Sequence, residues 1–517
     1  NMLPVTSSIH WHGIILPSAM DGVPGIATGF NGIAPGETFI YQFPIIQSGT
    51  YWYHSHSGFQ EQTGMYGAIV IDPKEPDPFS YDRDYVVVLS DWSDENPHDI
   101  YAKLKKMSHY YNFNERTHGD LMKQIKEKGV AQTWAEQEMW NEMRMSQRDL
   151  SDVTGYPYTF LMNGQTPADG WLGLFKRGEK VRLRFINASA MTFFDVRIPG
   201  LKMTVVAADG QYVQPVSVDE FRMGVAETFD VIVEPKDDIA YTLFAQTIDR
   251  SGYARGTLTP DVSLKAEIPA MDPVPELTHG DMGMAHSMEN MDGDMDMQMD
   301  HSQHNMNGGK KMQMETMKCG AGMMMGSNTS MDRSGDIKNP SDFTAKPLNH
   351  AATEYGPHVD MRADNAQYRL NDPGVGLRDN GRRVLTYADL KNFRTSWDMR
   401  DPDREIELHL TGNMSRYMWS INGIKHAEAE PLRWKLGELI RITFVNDTMM
   451  NHPMHLHGMW SDLETGDNDY LPRKHTVVVQ PGSRISYRVT VDAEGGWAFH
   501  CHMLYHMPGM FRTVIVS

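Results

Sequence analysis

Short runs of alternating apolar and polar residues, a pattern typical of half-buried β-strands, recur along the chain. Residues 8–12 have an extended character, and residues 38–43 alternate with a period of two. The apolar run 67–71, closed by Asp72 and Pro73, predicts a buried strand. Further strands are predicted at 85–89, 180–185, 228–233 and 404–410, after which the pattern continues to the C-terminus. The chain is therefore expected to be all-β.

Two stretches depart from this pattern. Residues 99–150 are rich in Lys, Glu, Gln, Met and Trp, with few Pro or Gly, which predicts a helical insertion. Residues 271–331 contain 16 of the 39 methionines and almost no branched aliphatic side chains. Because such a segment cannot bury a core, we expect it to be a flexible, disordered loop or linker.

These patterns divide the chain into four parts. We expect a first β-domain at 1–76, a second at 77–265 that contains the helical insertion, a Met/His-rich flexible segment at 266–350 and a last β-domain at 351–517. Few residues precede the first histidine motif at His10, too few to supply the strands that should pack beneath it. The first domain is therefore expected to lack its N-terminal part.

Composition narrows the function classes. The 517 residues carry a formal net charge of −19, so a nucleic acid is not an expected partner. No run of about 18 apolar residues occurs, so no membrane span is expected. Two cysteines, Cys319 and Cys501, cannot form a disulfide framework. Methionine and histidine are unusually frequent, with 39 Met and 22 His, and the side chains of both are neutral metal ligands at neutral pH.

Four short motifs concentrate histidines near the two ends of the chain. Residues i and i+2 of a strand share a face, so each His-x-His presents two imidazoles to one side. Neither the closed four-ligand spacing of structural zinc nor a metalloprotease helix motif is present. Eight imidazoles suit three copper ions with positions left open for oxygen. The paired residues are His10, His12, His54, His56, His455, His457, His500 and His502.

A second ligand set overlaps the last two motifs. His452 and His506, together with Cys501 and Met510, form the two-His, one-Cys, weak-Met set of a blue-copper electron-transfer site. Cys501 stands between His500 and His502, so its side chain is expected to face the opposite side of the strand. An electron would then pass from an outer copper to the inner cluster over a few covalent bonds.

These motifs resemble those of the multicopper oxidases, and most closely their periplasmic copper-resistance branch. All four motifs occur in the family's order, together with the phrase Tyr-Met-Trp-Ser-Ile-Asn-Gly at 417–423 and the Met/His-rich segment. The resemblance covers nearly the whole chain. It implies three cupredoxin-like β-sandwich domains, with a trinuclear copper cluster between the first and the last. It also implies four copper ions, one type 1, one type 2 and two type 3, with O2 as the electron acceptor.

The resemblance also assigns each ligand by position. It places His452, Cys501 and His506 on type 1 copper, His10 and His455 on type 2, His12, His54 and His502 on one type 3 ion, and His56, His457 and His500 on the other. Only three residues separate His506 from Met510, one fewer than is usual in the family. Met510 is the expected axial ligand. Phe511 is the alternative, and it would leave a three-coordinate copper of higher potential.

One carboxylate is a candidate catalytic residue. Asp21 matches the family's acidic residue beside the trinuclear centre, where a carboxylate can orient a copper-bound water and relay protons. The competing interpretation is a turn residue, because the pair Asp21 and Gly22 favours turns.

Soft sulfur ligands suggest a substrate. Thioether sulfur prefers Cu(I), so the Met-rich segment is expected to bind Cu(I), with Cys319 either a further soft ligand or an exposed thiol. In the family, the methionine that matches Met450 lies near type 1 copper and contacts substrate Cu(I). Asp447, Met449 and Met450 therefore form a candidate substrate site. Two consecutive strand residues face opposite sides, so both methionines can line one face only if the chain bends.

Three functions remain open. The first is a cuprous oxidase that converts Cu(I) to Cu(II) for copper resistance, with phenols as side substrates. The second is a laccase whose main substrates are phenols, with the Met-rich segment as a lid. The third is a copper-sequestering protein without catalysis. The resemblance implies a periplasmic location, reached through an export signal that these 517 residues do not contain.

Overall fold

The structure, a computed structural model, describes residues 1–112, 114–284 and 348–517. In residues 1–76 three strands form one antiparallel sheet in the order β1-β2-β3. They are β1 (His10–His12), β2 (Gly49–His54) and β3 (Tyr66–Ile71). His10 pairs with His54 across β1 and β2, so the first two histidine motifs meet at one place.

The middle region contains two sheets and the helical insertion. The sheets have the orders β10-β9-β12-β7-β4-β5 and β11-β8-β13-β14-β6. Their strands are β4 (Arg83–Trp92), β5 (Thr159–Met162), β6 (Trp171–Leu174), β7 (Val181–Asn187), β8 (Phe194–Arg197), β9 (Met203–Ala208), β10 (Gln211–Val218), β11 (Glu220–Met223), β12 (Thr228–Val233), β13 (Tyr241–Thr247) and β14 (Tyr253–Thr259).

The last region repeats this arrangement. Its sheets have the orders β16-β15-β18-β23-β20-β21 and β17-β25-β24-β19-β22. A parallel pair, β15 with β18, corresponds to the parallel pair of β4 with β7 in the middle region. The strands are β15 (Arg404–Asn413), β16 (Met418–Ile421), β17 (Leu432–Trp434), β18 (Leu439–Asn446), β19 (His452–Leu456), β20 (Ser461–Leu463), β21 (Arg473–Lys474), β22 (Thr476–Val479), β23 (Arg484–Thr490), β24 (Gly495–Cys501) and β25 (Phe511–Val516).

The predicted helical insertion is confirmed. It contains α1 (Pro97–Lys106), α2 (His118–Lys128) and α3 (Val130–Met143). Asn96 caps α1 by accepting from the His98 backbone N–H, and Thr117 and Asp120 form a capping box on α2. None of the described helices is long and apolar enough to cross a bilayer. Short 3₁₀ turns lie at Ser18–Met20, Gly280–Met282, Ala352–Glu354, Tyr387–Asp389, His426–Glu428 and Asn468–Tyr470.

The all-β class is confirmed, but two strand predictions need correction. Residues 38–43 keep their alternation, because Phe39 and Tyr41 pack beside Phe30 while Ile40 is 74% exposed. They form no strand, since no neighbouring segment among the described residues supplies a hydrogen-bonded ladder. The run 67–71 does lie in β3, but it is not buried, and Val70 is 39% exposed.

Residues beyond 266, the predicted start of the flexible segment, are also packed against the rest of the protein. Leu277 and Met282 are buried, and Asp281 lies 2.6 Å from Arg378 of the last region. Apolar anchors and an ion pair therefore order residues that composition alone marked as flexible. Of the methionines in the predicted Cu(I)-binding segment 271–331, Met271, Met282 and Met284 are described, whereas the others and Cys319 lie outside the described residues.

Polar contacts fix the first region against the other two. The Ser18 hydroxyl donates to the Gly496 carbonyl at 2.8 Å. The Thr50 hydroxyl donates to Asp230 at 3.1 Å, and Arg182 donates to the same carboxylate at 2.6 Å. Because these groups are buried, the histidines of the first region are held firmly beside those of the last.

Candidate metal centre

The eight paired histidines converge where β1 and β2 meet β19 and β24. His455 pairs with His500 across β19 and β24, as His10 pairs with His54 across β1 and β2. Seven of the eight rings are buried, and His56 is half-buried. Strand register therefore brings together residues that stand more than 400 positions apart, such as His56 and His500.

Several imidazole nitrogens point at one another rather than at acceptors. The Nε2 atom of His500 lies 3.3 Å from that of His56 and 3.1 Å from that of His457. The Nε2 atoms of His54 and His502 are 3.2 Å apart. Such convergence of ring nitrogens is the arrangement expected of imidazoles that share a metal ion.

The opposite ring nitrogens face oxygen, which fixes the tautomers. The Nδ1 atoms of His455 and His500 lie 2.6 Å and 2.9 Å from backbone carbonyls. An Nδ1–H group donates there, so each Nε2 keeps a free lone pair. In His12 the two ring nitrogens exchange these roles: Nε2 lies 3.1 Å from the Thr476 hydroxyl, and Nδ1 is the nitrogen without a partner. Among the eight paired histidines, four buried ring nitrogens have no hydrogen-bond partner within the described part of the chain, namely His10 Nε2, His12 Nδ1, His455 Nε2 and His502 Nδ1. The lone pairs of His10 Nε2, His12 Nδ1 and His455 Nε2 are therefore free to bind copper, whereas His502 approaches His54 through its other ring nitrogen, Nε2.

Burial keeps the imidazoles neutral. Desolvation, with repulsion among neighbouring rings, lowers the pKa of most of them well below the usual value, and that of His500 to about 3. The rings affected in this way are His12, His54, His56, His455, His457, His500 and His502. They therefore offer lone pairs rather than protons at neutral pH.

Asp21 supports two of these rings. Its Oδ2 lies 2.8 Å from His457 Nδ1, and its Oδ1 and carbonyl oxygen lie 3.3 Å and 2.9 Å from His10 Nδ1. The turn interpretation also holds, because Gly22 has φ +78° and a Cβ there would lie 1.8 Å from the Ile9 carbonyl oxygen. The turn thus delivers the carboxylate to the histidines.

Sequence reasoning missed two further buried groups at this centre. Glu61 Oε2 lies 3.0 Å from His54 Nδ1, and burial raises the Glu61 pKa well above its usual value. A ninth histidine, His475, lies 3.1 Å from His12 Nε2. His12 and His475 are 463 residues apart, and neither Glu61 nor His475 belongs to a His-x-His motif, so no local signal marked them.

The second predicted ligand set also comes together. Cys501 Sγ lies 3.5 Å from His452 Nδ1 and 3.7 Å from His506 Nδ1, and these two nitrogens are 3.3 Å apart. Burial raises the pKa of the Cys501 thiol, so the thiolate needs a bound cation. Phe511 stacks on His500 at 5.3 Å, on the side of the histidine cluster, while Met510 is fully buried.

The outer ring nitrogens of His452 and His506, the two imidazoles of this set, each have a hydrogen-bond partner. His452 Nε2 lies 2.7 Å from the Thr448 hydroxyl, and His506 Nε2 lies 2.6 Å from Asp152 Oδ2. Tyr417 donates to the same Asp152 oxygen at 3.1 Å. Asp152 follows the helical insertion, 354 residues before His506, and was not predicted.

Of the three candidate substrate residues, Asp447 is directed away from Met449 and Met450. The chain bends at 448–450, so the objection that consecutive residues face opposite ways does not apply to Met449 and Met450. Both are buried. Asp447 is directed elsewhere, with Oδ2 2.7 Å from His409 Nδ1.

Comparison with known proteins identifies the family. Family models described as multicopper oxidase match residues 1–76, 83–261 and 399–517. Copper resistance protein A of Escherichia coli is 56% identical over 532 residues, covering 100% of this chain and 85% of that protein. The chain belongs to the multicopper oxidases. Copper resistance protein A of Pseudomonas syringae pv. tomato is likewise 56% identical, with the same coverage.

More distant multicopper oxidases share the fold. The crystal structure of Fet3p, described as functioning in iron import, superposes with a TM-score of 0.60 at 17% identity, covering 100% of this chain and 81% of that one. A laccase from Botrytis aclada gives a TM-score of 0.60 at 18% identity, covering 100% and 79%. Multicopper oxidases bind one type 1, one type 2 and two type 3 copper ions, and the histidine clusters are compatible with that set. The chain is therefore an oxidoreductase.

The contact between Asp152 and His506 predicts a measurable effect. A carboxylate raises the basicity of the imidazole it accepts from and so favours Cu(II) over Cu(I). If this set holds type 1 copper, we expect Asp152→Asn to raise the reduction potential of that ion and to lower turnover by roughly 10- to 100-fold. Redox titration of the blue absorption band measures the potential. Asp149→Asn, three residues earlier, is the matched control, and an Asp152→Asn potential equal to wild type would contradict the prediction.

Proposed function

We propose that this multicopper oxidase oxidises Cu(I) to Cu(II) in the periplasm, with O2 as the acceptor, and so contributes to copper resistance. The observation that carries the proposal is the burial of both histidines of the cysteine site, His452 and His506, whose outer nitrogens are capped by Thr448 and Asp152. A bulky organic donor has no exposed imidazole edge to contact there. The 56% identity to proteins named for copper resistance supports a role in copper resistance.

The ligand assignment is part of the proposal. His452, Cys501 and His506 would hold type 1 copper, and Met510 rather than Phe511 would be the further ligand, since Phe511 packs on the other side of the strand. Convergence of ring nitrogens supports one type 3 set directly, that of His56, His457 and His500. The remaining ligands are His10 and His455 for type 2, and His12, His54 and His502 for the second type 3 ion.

The chain's own residues set up the reaction. When bound, the four copper ions supply one-electron steps that together reduce O2 to water. Cys501 connects the two ligand sets through its backbone neighbours His500 and His502. Asp21 orients His10 and His457 and lies where it can pass protons to the oxygen site. Buried aromatic rings such as Trp52, stacked 4.4 Å from His54, exclude water from the centre.

A cavity supports a second candidate function, oxidation of phenols. A cavity of about 470 Å³ is lined by several aromatic side chains, among them Tyr101, Tyr417, Trp419 and Tyr505. Trp419 also stacks on His506, with ring centroids 3.9 Å apart. An aromatic donor in the cavity would therefore be separated from the type 1 ligands by one indole ring.

Oxygen uptake with two donors tests the proposal. The full-length, copper-loaded protein receives a chelated Cu(I) donor and, separately, a simple phenol. One variant lacks residues 286–346, which spares the packed Leu277 and Met282. A second variant keeps the segment but changes its methionines to leucine. We expect both variants to lose roughly tenfold or more of the Cu(I)-driven rate, because tethered ligands raise the local Cu(I) concentration. Phenol-driven uptake should stay unchanged.

The other outcomes separate the alternatives. Rapid uptake with phenol but not with Cu(I) would overturn the proposal in favour of a laccase. A phenol rate that rises on deletion but not in the leucine variant would identify the segment as a lid. No uptake with either donor, at full copper loading, would indicate sequestration.

A further inference from the structure

Two histidines and two carboxylates form a separate buried cluster in the last region. They are His350, Glu354, His409 and Asp447, with side chains 6%, 2%, 4% and 0% exposed. Glu354 ends a 3₁₀ turn, His409 lies on β15, and Asp447 follows β18. None of the four belongs to the ligand sets assigned above.

One oxygen of each carboxylate faces both imidazoles. Glu354 Oε2 lies 2.9 Å from His350 Nδ1 and 3.2 Å from His409 Nδ1. Asp447 Oδ2 lies 3.5 Å from His350 Nδ1 and 2.7 Å from His409 Nδ1. The same four atoms thus account for all four contacts.

These distances approach those between ligands of one small ion. With metal–ligand bonds of about 2.0–2.1 Å, neighbouring ligand atoms lie roughly 2.8–3.0 Å apart in the square-planar geometry that Cu(II) prefers, and roughly 3.3–3.4 Å apart in a tetrahedral site. The four N···O separations, 2.7 to 3.5 Å, span these two spacings. A single Nδ1–H can make only one strong hydrogen bond, so hydrogen bonding alone does not require each nitrogen to face two oxygens.

Neighbouring groups complete a metal-binding environment. The other Asp447 oxygen accepts from the Ala363 backbone N–H at 2.7 Å, which leaves Oδ2 for the cluster. His409 Nε2 lies 3.3 Å from Glu407, whose second oxygen accepts from Arg484 at 3.0 Å. A carboxylate behind a metal-binding imidazole orients the ring and raises its basicity. Two buried carboxylates need compensating positive charge. Against desolvation, hydrogen bonds to Asp447 and Glu407 raise the pKa of His409 to about 10, so a protonated His409 supplies one positive charge, whereas a divalent ion would compensate both carboxylates.

We propose that His350, Glu354, His409 and Asp447 form a fifth metal site that binds divalent copper. Two imidazoles and two carboxylates suit Cu(II), which binds most tightly among divalent first-row ions, whereas Cu(I) prefers sulfur. Asp447 therefore belongs to a site for the oxidised ion rather than to a soft site with Met449 and Met450. Thr448, the residue after Asp447, is hydrogen-bonded to His452, so the site lies beside the type 1 ligands. Its role in receiving product Cu(II) rests on the proposed function, but binding itself does not.

Zinc titration tests the site independently of catalysis. Zn(II) is the probe, because it accepts the same donors and is redox-inert. The full-length protein, already loaded with four copper ions, is titrated against a competing chelator. We expect wild type to bind one Zn(II) more than His350→Gln and Glu354→Gln, or to bind it at least about 100-fold more tightly. His358→Gln, a nearby histidine outside the cluster, is the matched control and should behave as wild type.

Unchanged Zn(II) stoichiometry and affinity in both cluster variants would overturn the proposal. Retention of the blue absorption band shows that a variant has folded. If neither variant folds, anomalous diffraction at the zinc edge from wild-type crystals decides the matter. A peak among the four side chains supports the site, and its absence refutes it. A protein that fails to oxidise Cu(I) but gives this peak would separate the fifth site from the proposed function.

Discussion

Replacing Cys501 by serine should abolish the blue absorption of the copper-loaded protein and lower oxygen uptake with any donor by roughly a thousandfold or more. Cys501 Sγ lies 3.5 and 3.7 Å from the Nδ1 atoms of His452 and His506. It is also the only side chain of the proposed type 1 set whose backbone neighbours, His500 and His502, belong to the proposed trinuclear set. Serine keeps the size of the side chain but is a far poorer copper ligand than thiolate.

Cys319→Ser is the matched control, since it removes the only other thiol. That variant should keep its colour and activity. The stopped-flow reduction of type 1 copper and steady-state oxygen uptake are the two readouts. Full oxygen uptake by Cys501→Ser would contradict electron entry through this residue. Cells protected from copper as well by Cys501→Ser as by wild type would indicate protection by sequestration rather than by oxidation.

The candidate metal ligands could be predicted from the sequence because each His-x-His is a local signal. Two imidazoles two residues apart on a strand must share a face, whatever the rest of the fold. The register of β19 with β24 then places His455 beside His500, which no local pattern specifies. The convergence of the four motifs was inferred from their number and from the family resemblance, not from spacing.

Residues that support the ligands could not be predicted in the same way. Asp152 and His475 reach their partners across 354 and 463 residues, and each is an ordinary polar residue in its local sequence. The strand error at 38–43 has a related cause. Alternation reports which side chains face the core, but a strand also needs a hydrogen-bonded neighbour, and that neighbour is set by the tertiary fold.

Asp21→Asn should slow the reoxidation of the reduced enzyme by O2 by about 10²–10⁴-fold, the usual contribution of a positioned acid or base. The amide oxygen of asparagine can still accept from His457 Nδ1, which lies 2.8 Å from the carboxylate, and the backbone carbonyl at position 21 still accepts from His10 Nδ1 at 2.9 Å, but asparagine cannot carry a proton. Reduction of type 1 copper by Cu(I) without oxygen should be unchanged, because that step needs no proton from Asp21.

Asp21→Glu separates the two roles of this carboxylate. It keeps a group that can carry protons but lengthens the side chain next to Gly22, whose backbone is fixed by close contact with the Ile9 carbonyl. If proton transfer dominates, Asp21→Glu regains part of the reoxidation rate that Asp21→Asn loses, at full copper content. If positioning dominates, Asp21→Glu, whose longer side chain displaces the carboxylate, loses type 2 copper while Asp21→Asn keeps it, and metal analysis detects the difference. Wild-type reoxidation in Asp21→Asn would exclude the proton-transfer role and leave Asp21 as a turn residue that only positions His10 and His457.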